Sequence, residues 1–558
     1  MMDTTIKVFC ENSNTSLYVK MGTSLAELLD ILALKSPFPS LAAYVNNSLK
    51  ELTYRIFEPV TIRFIDITHF EGQRVYQRTL FFIMQKAIYD LYPEHKLSVR
   101  HSIAKGFYAE IDGFDGVPQE VVDAIKARMQ QIIKQDISII KTKMPENEAA
   151  ELYKQFGLED KVALLETRHH LYVTVYMLAD LPGFFYGALC PSTKMISLFD
   201  IEPFYKGIYI RVPSNNDPTQ LEQMVPQDKM FEIISLHKQW SEILGVANIG
   251  SLNKIILENK SKELIHIAEA LQEKVCANVA DMIFDKYNQE GSRIILLSGP
   301  SSSGKTTTSK RIAVQLSVLG FEPMVISLDD YFLNRECTPR DENGEYDFEA
   351  LEALDIEQFN KDLLALLDGE EVNIPTYDFV TGCRVMNPEK RLRLKSRSML
   401  IIEGIHALNP SLTPHIKDTQ KFKIYVSALT SIAMDNMNRI ATTDNRLLRR
   451  MVRDNAYRGT SAVDTIKRWQ SVRRGEDKHI FPYQEQADVV INSAMIYELC
   501  VLKRYAETIL HEVPDSVPEF GEANRLLKFL EHFAPIDSDF IPPTSVLREF
   551  IGGSSFVY

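Results

Sequence analysis

A glycine-rich segment in the second half of the chain constrains the fold more than any other feature. Residues 299–306 read Gly-Pro-Ser-Ser-Ser-Gly-Lys-Thr. Glycine lets the backbone curl so that successive N–H groups point at a phosphate. An apolar stretch, 293–298, precedes the segment, and an amphipathic stretch, 307–319, follows it and ends at Gly320. The order strand, loop, helix is typical of a phosphate-binding loop, or P-loop.

The residue types of this loop suit a nucleoside triphosphate and a magnesium ion. Lys305 is placed to neutralise the β- and γ-phosphates, and the Thr306 hydroxyl is placed to reach Mg²⁺. The N-terminus of the following helix adds partial positive charge. We therefore expect ATP and Mg²⁺ as cofactors. The residues of this segment expected to bind the nucleotide are Gly299, Pro300, Ser301, Ser302, Ser303, Gly304, Lys305, Thr306 and Thr307.

The remainder of the C-terminal half alternates apolar strands with helices, which is typical of a parallel sheet covered on both faces. Carboxylates follow two of the strands: Asp329 and Asp330 follow one, and Glu403 follows another. Open α/β sheets bind ligands at the carboxyl ends of their strands. Thr306, Asp329 and Glu403 therefore form the expected metal site, although acids in ordinary solvated loops give the same pattern. The predicted strands are 293–298, 323–328, 398–402, 423–426 and 487–491.

Positive charge is concentrated in one segment of an otherwise acidic chain. The formal net charge is −13, yet residues 439–478 contain 11 Lys or Arg and 5 Asp or Glu. Arg446, Arg450 and Arg453 are spaced by four and three, so a helix would place them on one face. Such a face suits a lid that clamps a triphosphate. A solvated helix face is the alternative interpretation.

From about residue 291 onward the chain resembles the uridine kinase/phosphoribulokinase family. Several motifs occur in the order found in that family, which makes the likeness specific. They are the P-loop and segments 327–332, 346–349, 374–379, 402–405 and 444–459. The resemblance implies a P-loop kinase with a helical lid over its phosphate site.

The resemblance also implies roles for individual residues. Asp329 would accept the proton of the substrate hydroxyl, and Glu349 would hold ribose hydroxyls. Tyr377 and Phe379 would lie around the nucleobase, and Glu403 beside magnesium. The residues expected to act in catalysis are Lys305, Asp329, Arg450 and Arg453, with Arg458 completing the lid and contacting the nucleotide.

Two positions depart from the uridine–cytidine kinase pattern. A histidine that reads the pyrimidine is replaced by Gly382, and an arginine that follows an Arg-Gly pair is replaced by Thr460. The residues for phosphoryl transfer are retained, whereas those for base recognition are altered. We therefore expect a base specificity that differs from that of the family.

The N-terminal half resembles the front of a threonyl-tRNA synthetase. Residues 4–65 are similar to its TGS domain and 67–213 to its second additional, editing domain, with segments 105–108 and 191–193 carrying the second match. The editing enzyme holds zinc with two histidine- and cysteine-containing pairs. The matching positions here are Arg78, Phe82, Phe185 and Leu189, which do not bind zinc. Zinc-dependent editing is therefore not expected.

These observations predict a multidomain α/β protein. A ubiquitin-like α+β domain occupies residues 1–65, and an α+β domain like the synthetase editing domain occupies 66–215. A helical connector spans 216–290, and the P-loop kinase domain, a parallel sheet covered by helices, spans 291–558.

The leading functional hypothesis is an ATP- and Mg-dependent kinase that phosphorylates the 5′-hydroxyl of a nucleoside or a related small molecule. A phosphoribulokinase-like sugar kinase is an alternative. A regulatory P-loop protein linked to translation or RNA is another, although residues 360–363 do not form the Asn-Lys-x-Asp guanine motif. A third interpretation keeps the enzyme and makes the N-terminal domains a sensor for an amino acid or a tRNA end.

The remaining features predict a cytoplasmic location. Six cysteines occur without a CxxC pair, which is typical of reduced thiols. No run of about 18 apolar residues is present, so no membrane partner is expected. His169 and His170 are adjacent and would face opposite sides of a strand, which argues against one shared metal site.

Overall fold

The computed structural model describes residues 5–168, 170–342 and 344–557. The first unit is a five-stranded sheet of order β2-β1-β5-β3-β4 with one helix against it. Ser24 begins that helix with a capping box, in which its side chain accepts from the Glu27 N–H while Glu27 accepts from the Ser24 N–H. The elements are β1 (Thr5–Cys10), β2 (Thr15–Lys20), α1 (Leu25–Leu32), β3 (Ala42–Val45), β4 (Ser48–Glu51) and β5 (Val60–Ile65).

The second unit is also α+β, and its long apolar helix α2 packs between two small sheets. Side chains from α2, including Leu80 and Phe82, share one core with residues of both sheets. The sheets have the orders β10-β9-β8 and β11-β12-β7-β6. The elements are α2 (Phe70–Leu91), β6 (Leu97–Ile103), β7 (Gly106–Ile111), α3 (Gln119–Lys134), β8 (Ile139–Pro145), α4 (Glu146–Gln155), α5 (Glu159–Glu166), β9 (Tyr172–Leu178), β10 (Leu181–Gly183), β11 (Asp200–Phe204) and β12 (Gly207–Arg211).

Three helices follow: α6 (Asp228–Ile243), α7 (Ile249–Leu257) and α8 (Ser261–Glu290). They lie within the segment predicted to be a helical connector. Helix α8 packs on the first helix of the C-terminal half, where Val279 and Ile283 share a core with Ile312. It therefore covers the sheet of the C-terminal half, and the predicted boundary at 291 separates two elements in direct contact.

The C-terminal half contains the predicted parallel sheet, with strand order β14-β17-β13-β18-β19. All four neighbouring pairs are parallel, so the carboxyl ends of the strands meet at one edge. A separate hairpin, β15–β16, was not predicted as such. The elements are β13 (Ile294–Ser298), α9 (Lys305–Val318), β14 (Glu322–Ser327), α10 (Ile356–Leu367), β15 (Val372–Asp378), β16 (Cys383–Leu392), β17 (Ser398–Glu403), β18 (Lys421–Ser427), α11 (Thr442–Arg458), α12 (Ala462–His479), β19 (Val489–Asn492), α13 (Glu498–His511), α14 (Phe520–Leu530) and α15 (Arg548–Ile551).

One apolar core joins the two halves of the chain. Val173 and Phe184 of the second unit share it with Leu447 of α11 and Leu526 of α14.

No described helix has the combination of length and apolar character that crossing a membrane requires. His169 lies outside the described residues, so the expectation about the histidine pair stays a prediction.

Candidate functional site

The P-loop connects β13 to α9, and its backbone geometry requires glycine at two positions. A Cβ on Gly299 would lie 2.1 Å from the Val426 carbonyl oxygen of the neighbouring strand. Gly304 has a φ of +79°, in the left-handed region that favours glycine. Lys305 follows as the first residue of α9, and its Nζ donates to the Pro300 carbonyl oxygen at 3.1 Å. The lysine thus lies across the mouth of the loop.

A group of oxygen atoms lies where β14 and β17 end. Glu403 Oε1 accepts from Thr306 Oγ1 at 3.3 Å and from Ser327 Oγ at 2.8 Å. Burial and the nearby negative charge of Asp329 raise the pKa of Glu403 to about 7, although Lys305 opposes the shift. A desolvated carboxylate, a second carboxylate and a hydroxyl form the oxygen donor set that suits Mg²⁺. The residues predicted to hold the metal therefore lie together and fit it.

The two adjacent aspartates after β14 have different surroundings. Asp330 is engaged: its carboxylate accepts from the Tyr377 N–H at 3.3 Å and pairs with Lys390. Asp329 forms no side-chain hydrogen bond or ion pair in the part of the chain that the structure describes. Its charge affects the pKa values of Lys305 and Glu403. Asp329 is thus the aspartate whose carboxylate is available beside the P-loop lysine.

Glu349 and His406 form a second polar group beside the first. Burial raises the pKa of Glu349 to about 7, although Arg450 opposes the shift. Its Oε2 is buried and has no hydrogen-bond partner among the described residues. His406 is fully buried, and neither ring nitrogen has a partner of good hydrogen-bond geometry in that same part of the chain, although the backbone of Ala350 and of Glu349 is near enough to act on its pKa. Burial and the nearby His479 lower the pKa of His406 to about 4, so its ring is neutral at neutral pH.

Three aromatic rings lie next to this polar group. Ring centroids of Tyr377 and Phe332 are 5.6 Å apart, and those of Tyr377 and Phe379 are 5.2 Å apart. The Arg458 guanidinium lies over the Phe379 ring at 4.2 Å. Burial and Arg453 lower the pKa of Arg458 to about 10. The predicted base-binding residues therefore form an aromatic wall that one lid arginine covers.

Gly382 turns the β15–β16 hairpin with a φ of +73°. A Cβ at this position would lie 2.7 Å from Nε of Arg335, so the arginine side chain fills the adjacent space. Arg335 donates from its backbone N–H to the Gly382 carbonyl at 2.8 Å and from Nη2 to the Phe379 carbonyl at 2.8 Å. The position that departs from the uridine–cytidine kinase pattern expected from the sequence thus lies next to a guanidinium.

Helix α11 brings the predicted lid arginines to the P-loop. Arg450 Nη1 donates to Ser301 Oγ at 2.9 Å. Asp454 on the same helix pairs with Arg450 at 3.3 Å, with Arg453 at 2.8 Å and with Arg458 at 3.6 Å. The three arginines are therefore gathered around one carboxylate beside the loop.

Sequence reasoning missed two carboxylates that touch the P-loop. Glu476 of α12 accepts from the Ser301 N–H at 3.1 Å and pairs with Arg446. Glu549 of α15 accepts from the Thr307 N–H at 3.1 Å and from Thr307 Oγ1 at 2.7 Å. They are 175 and 242 residues away from their partners, and neither lies in a motif, so the sequence gives no signal for them.

The positions that match the zinc ligands of the editing domain lie in and beside the core of the second unit. The Phe82 and Phe185 rings are 5.1 Å apart, and Leu189 is buried. Arg78 borders a cavity between the units. Residues 5–168, 170–342 and 344–557 contain no group of three or more His, Cys, Asp or Glu that could hold a metal ion. The absence of zinc stays a prediction.

Comparison with known proteins identifies relatives of this chain. The model of the phosphoribulokinase / uridine kinase family matches residues 294–498. Uridine kinase of Macrococcus caseolyticus is 30% identical over 199 residues, which are 36% of this chain and 86% of that protein. Uridine kinase of Saccharomyces cerevisiae is 32% identical over 203 residues, 36% of each chain.

Threonine–tRNA ligase of Clostridioides difficile is 32% identical over 181 residues, which are 32% of this chain and 28% of that protein. The chain thus spans 36% and 28% of the lengths of the yeast and Clostridioides proteins. Both resemblances predicted from the sequence are confirmed. Three findings agree: a P-loop on a parallel sheet, the family match over 294–498, and a uridine kinase that this chain covers over most of its length. The chain therefore belongs to the phosphoribulokinase/uridine kinase family of kinases.

Proposed function

We propose that the chain is an ATP- and Mg²⁺-dependent kinase that transfers the γ-phosphoryl group to the 5′-hydroxyl of a nucleoside. One observation carries the proposal. Lys305, Asp329 and Glu403 meet at the carboxyl edge of the sheet, where the charge of Asp329 acts on the pKa values of Lys305 and Glu403. Perturbed ionisable groups in a phosphate-binding cleft are typical of a catalytic site.

Different residues of the chain have different roles in an in-line transfer. Asp329 accepts the proton of the 5′-hydroxyl as the oxygen attacks the γ-phosphorus, and ADP leaves with the bridging oxygen. Lys305, Arg450 and Arg453 neutralise the negative charge on the phosphates. Mg²⁺, when held by Thr306, Asp329 and Glu403, would supply further charge neutralisation at the phosphate oxygens.

Glu349 suits a ribose, because its buried and unpartnered Oε2 needs a donor such as a sugar hydroxyl. The neutral ring of His406 offers a second buried polar group that lacks a partner. The flat faces of Tyr377 and Phe379 suit a nucleobase. A nucleoside would satisfy both kinds of group at once.

Arg335 would set the base preference. A guanidinium offers only donors, so it favours a base edge with carbonyl or ring-nitrogen acceptors. The histidine that the family uses at the Gly382 position has a different geometry. We therefore expect a ranking of bases that differs from that of a pyrimidine-specific enzyme.

The test is ATP consumption by the purified chain on a substrate panel. The panel contains uridine, cytidine, adenosine, guanosine, their 2′-deoxy forms and ribulose 5-phosphate, compared by kcat/KM. Ribosides should exceed deoxyribosides if Glu349 holds the 2′-hydroxyl. Turnover of the sugar phosphate without turnover of any nucleoside would contradict the proposal in favour of a sugar kinase. ATP or GTP hydrolysis without an acceptor would favour a regulatory P-loop protein.

A further inference from the structure

A cavity of about 760 Å³ lies between three parts of the chain, away from the P-loop. Its walls come from β4 of the first unit, from α2, β8 and β9 of the second, and from α14 of the C-terminal region. It contains none of the residues assigned above to phosphate, metal, ribose or base. Its volume is in the range of small-molecule binding sites.

Arg78 in this cavity is a cation without a carboxylate partner. Its Nη1 reaches the Ala188 carbonyl at 3.4 Å, and its guanidinium is 5.7 Å from the Tyr186 ring. A Cβ on Gly187 would lie 2.3 Å from its Cζ, so only glycine leaves room for the guanidinium there. Within the described ranges no carboxylate lies within ion-pair distance of Arg78, and only the more distant charge of Glu71 opposes the effect of burial. Burial lowers its pKa, which shows that water compensates its charge poorly. An anionic group is the partner that this environment lacks.

Three lysines add positive charge to the same cavity. Burial and the charges of Lys528 and Lys141 lower the pKa of Lys50, so the ammonium group of Lys50 is repelled by the other two. Lys141 pairs with Glu51 at 3.1 Å. Lys50 and Lys528 form no ion pair with any residue that the structure describes. An anion between them would relieve this repulsion.

The acidic residues of the cavity do not balance these cations, because each has another partner. Glu51 is held by Lys141 and by the Tyr176 hydroxyl. Glu71 pairs through Oε1 with Arg74 at 2.6 Å, and Glu522 pairs with Arg525 at 2.6 Å. Oε2 of Glu71 has no hydrogen-bond partner among the described residues, and the charge of this carboxylate also acts on Arg78. The surplus positive charge therefore belongs to Lys50 and Lys528, while Arg78 is compensated only by the more distant charge of Glu71.

Aromatic side chains form much of the remaining wall. Tyr44, Tyr54, Tyr176, Phe185 and Tyr186 border the cavity. Aromatic faces bind flat ring systems, and cations next to them bind anionic substituents. We propose that this cavity binds a small metabolite that carries a phosphate or carboxylate group on an aromatic ring system.

The experiment is isothermal titration calorimetry on the full-length chain. Nucleoside 5′-monophosphates represent phosphate-bearing ligands, and phenylpyruvate and N-acetyltryptophan represent carboxylate-bearing ligands. Three proteins are compared: the wild type, Arg78→Gln and Lys305→Ala, the last of which alters only the P-loop site. At least one probe should bind, with affinity unchanged by Lys305→Ala and reduced about tenfold or more by Arg78→Gln, the loss expected for one charge-assisted hydrogen bond.

Two further measurements keep the result decisive. Lys50 and Lys528 lie at the accessible rim, so the double variant Lys50→Gln/Lys528→Gln tests the same charge surplus if Arg78→Gln does not fold. The double variant should bind the same probe more weakly than the wild type does. Uncharged nucleosides should show no binding that depends on Arg78. The proposal would be overturned if every probe that binds lost its binding in Lys305→Ala and kept it in Arg78→Gln and in the lysine variant. Absence of binding for every probe would also overturn it.

Discussion

At the scale of single residues, the two neighbouring aspartates provide the sharpest test of the proposed chemistry. Asp329→Asn removes the group that would accept the hydroxyl proton, and we expect kcat to fall by about 10²–10⁴-fold. Asp330→Asn is the matched control. Asp330 is bound to Lys390 and to the Tyr377 N–H, so the change should mainly affect KM for the acceptor. Near-normal kcat for Asp329→Asn would remove that residue from the mechanism.

Lys305→Ala should also abolish transfer while leaving the thermal unfolding curve cooperative.

Arg335 provides a test of base recognition. Arg335→Ala removes the guanidinium beside Gly382 but keeps the backbone hydrogen bond from residue 335 to that glycine. The ratio of kcat/KM between the best and worst bases should shrink by about tenfold or more, because a lost charge-assisted hydrogen bond contributes about that factor. The measurement is the nucleoside panel repeated on the variant. Unchanged ratios would show that another side chain reads the base.

At the scale of elements, the short helix α15 places a carboxylate where the P-loop helix begins. Glu549 accepts from the Thr307 N–H and hydroxyl, and a helix N-terminus is also where phosphate binds. Glu549→Ala should therefore lower KM for ATP. It should also lower Tm slightly, because a carboxylate at a helix N-terminus stabilises by about 0.3–1 kcal/mol. Glu512→Ala, an exposed control, should change neither quantity. A raised KM would instead identify Glu549 as part of the nucleotide site.

Helix α11 is held at its N-terminal end by a buried charge network. Asp444 pairs with Arg525 at 2.8 Å and with Arg74 at 3.2 Å. Burial alone would raise the pKa of Asp444, but the two guanidinium groups outweigh it and lower the pKa. The pair therefore stabilises the fold above the unfolded pKa of about 4, and this stability is lost as the pH falls below that value.

Asp444→Asn should cost about 1.5–3 kcal/mol at pH 7, because it removes charge-assisted hydrogen bonds to Arg525 and Arg74, which keep Glu522 and Glu71 as partners. The free energy of unfolding of the wild type and the variant should converge as the pH is lowered from 6 to 3. Chemical denaturation across that range measures both. A difference that stays constant over the range would show that the charge of Asp444 does not stabilise α11.

The same elements show how far sequence reasoning reaches. The five strands of the kinase sheet were predicted correctly, because apolar runs determine them. The placement of Asp329 and Glu403 at one edge followed from the parallel order of strands. Glu476 and Glu549 could not be predicted, because their contacts with the P-loop depend on how distant helices pack. The space that Arg335 fills beside Gly382 was equally inaccessible, since only the folded hairpin brings the two together.

At the scale of the whole molecule, the kinase half depends on segments that precede residue 291. Arg311 of α9 is buried and pairs with Glu269 at 3.4 Å and Glu273 at 2.7 Å, both on α8. Ile312 packs against the same helix. A chain that begins at 291 would leave a buried arginine unpaired and the apolar face of α9 in water.

That dependence leads to a prediction about where the chain can be divided. Truncation to residues 291–558 should abolish cooperative unfolding, because it removes α8 from the sheet and also the side chains of Val173 and Phe184 from the core shared with α11. Truncation to 228–558 restores α8 but not the second unit. It should unfold cooperatively at a Tm clearly below that of the full chain, since several apolar side chains lose their cover at about 25 cal/mol per Å². Circular dichroism melts and gel filtration of the three chains provide the comparison. If the 291–558 chain melted cooperatively within a few degrees of the full-length protein, residue 291 would be a true domain boundary, and the shared core would contribute little to the stability of the kinase.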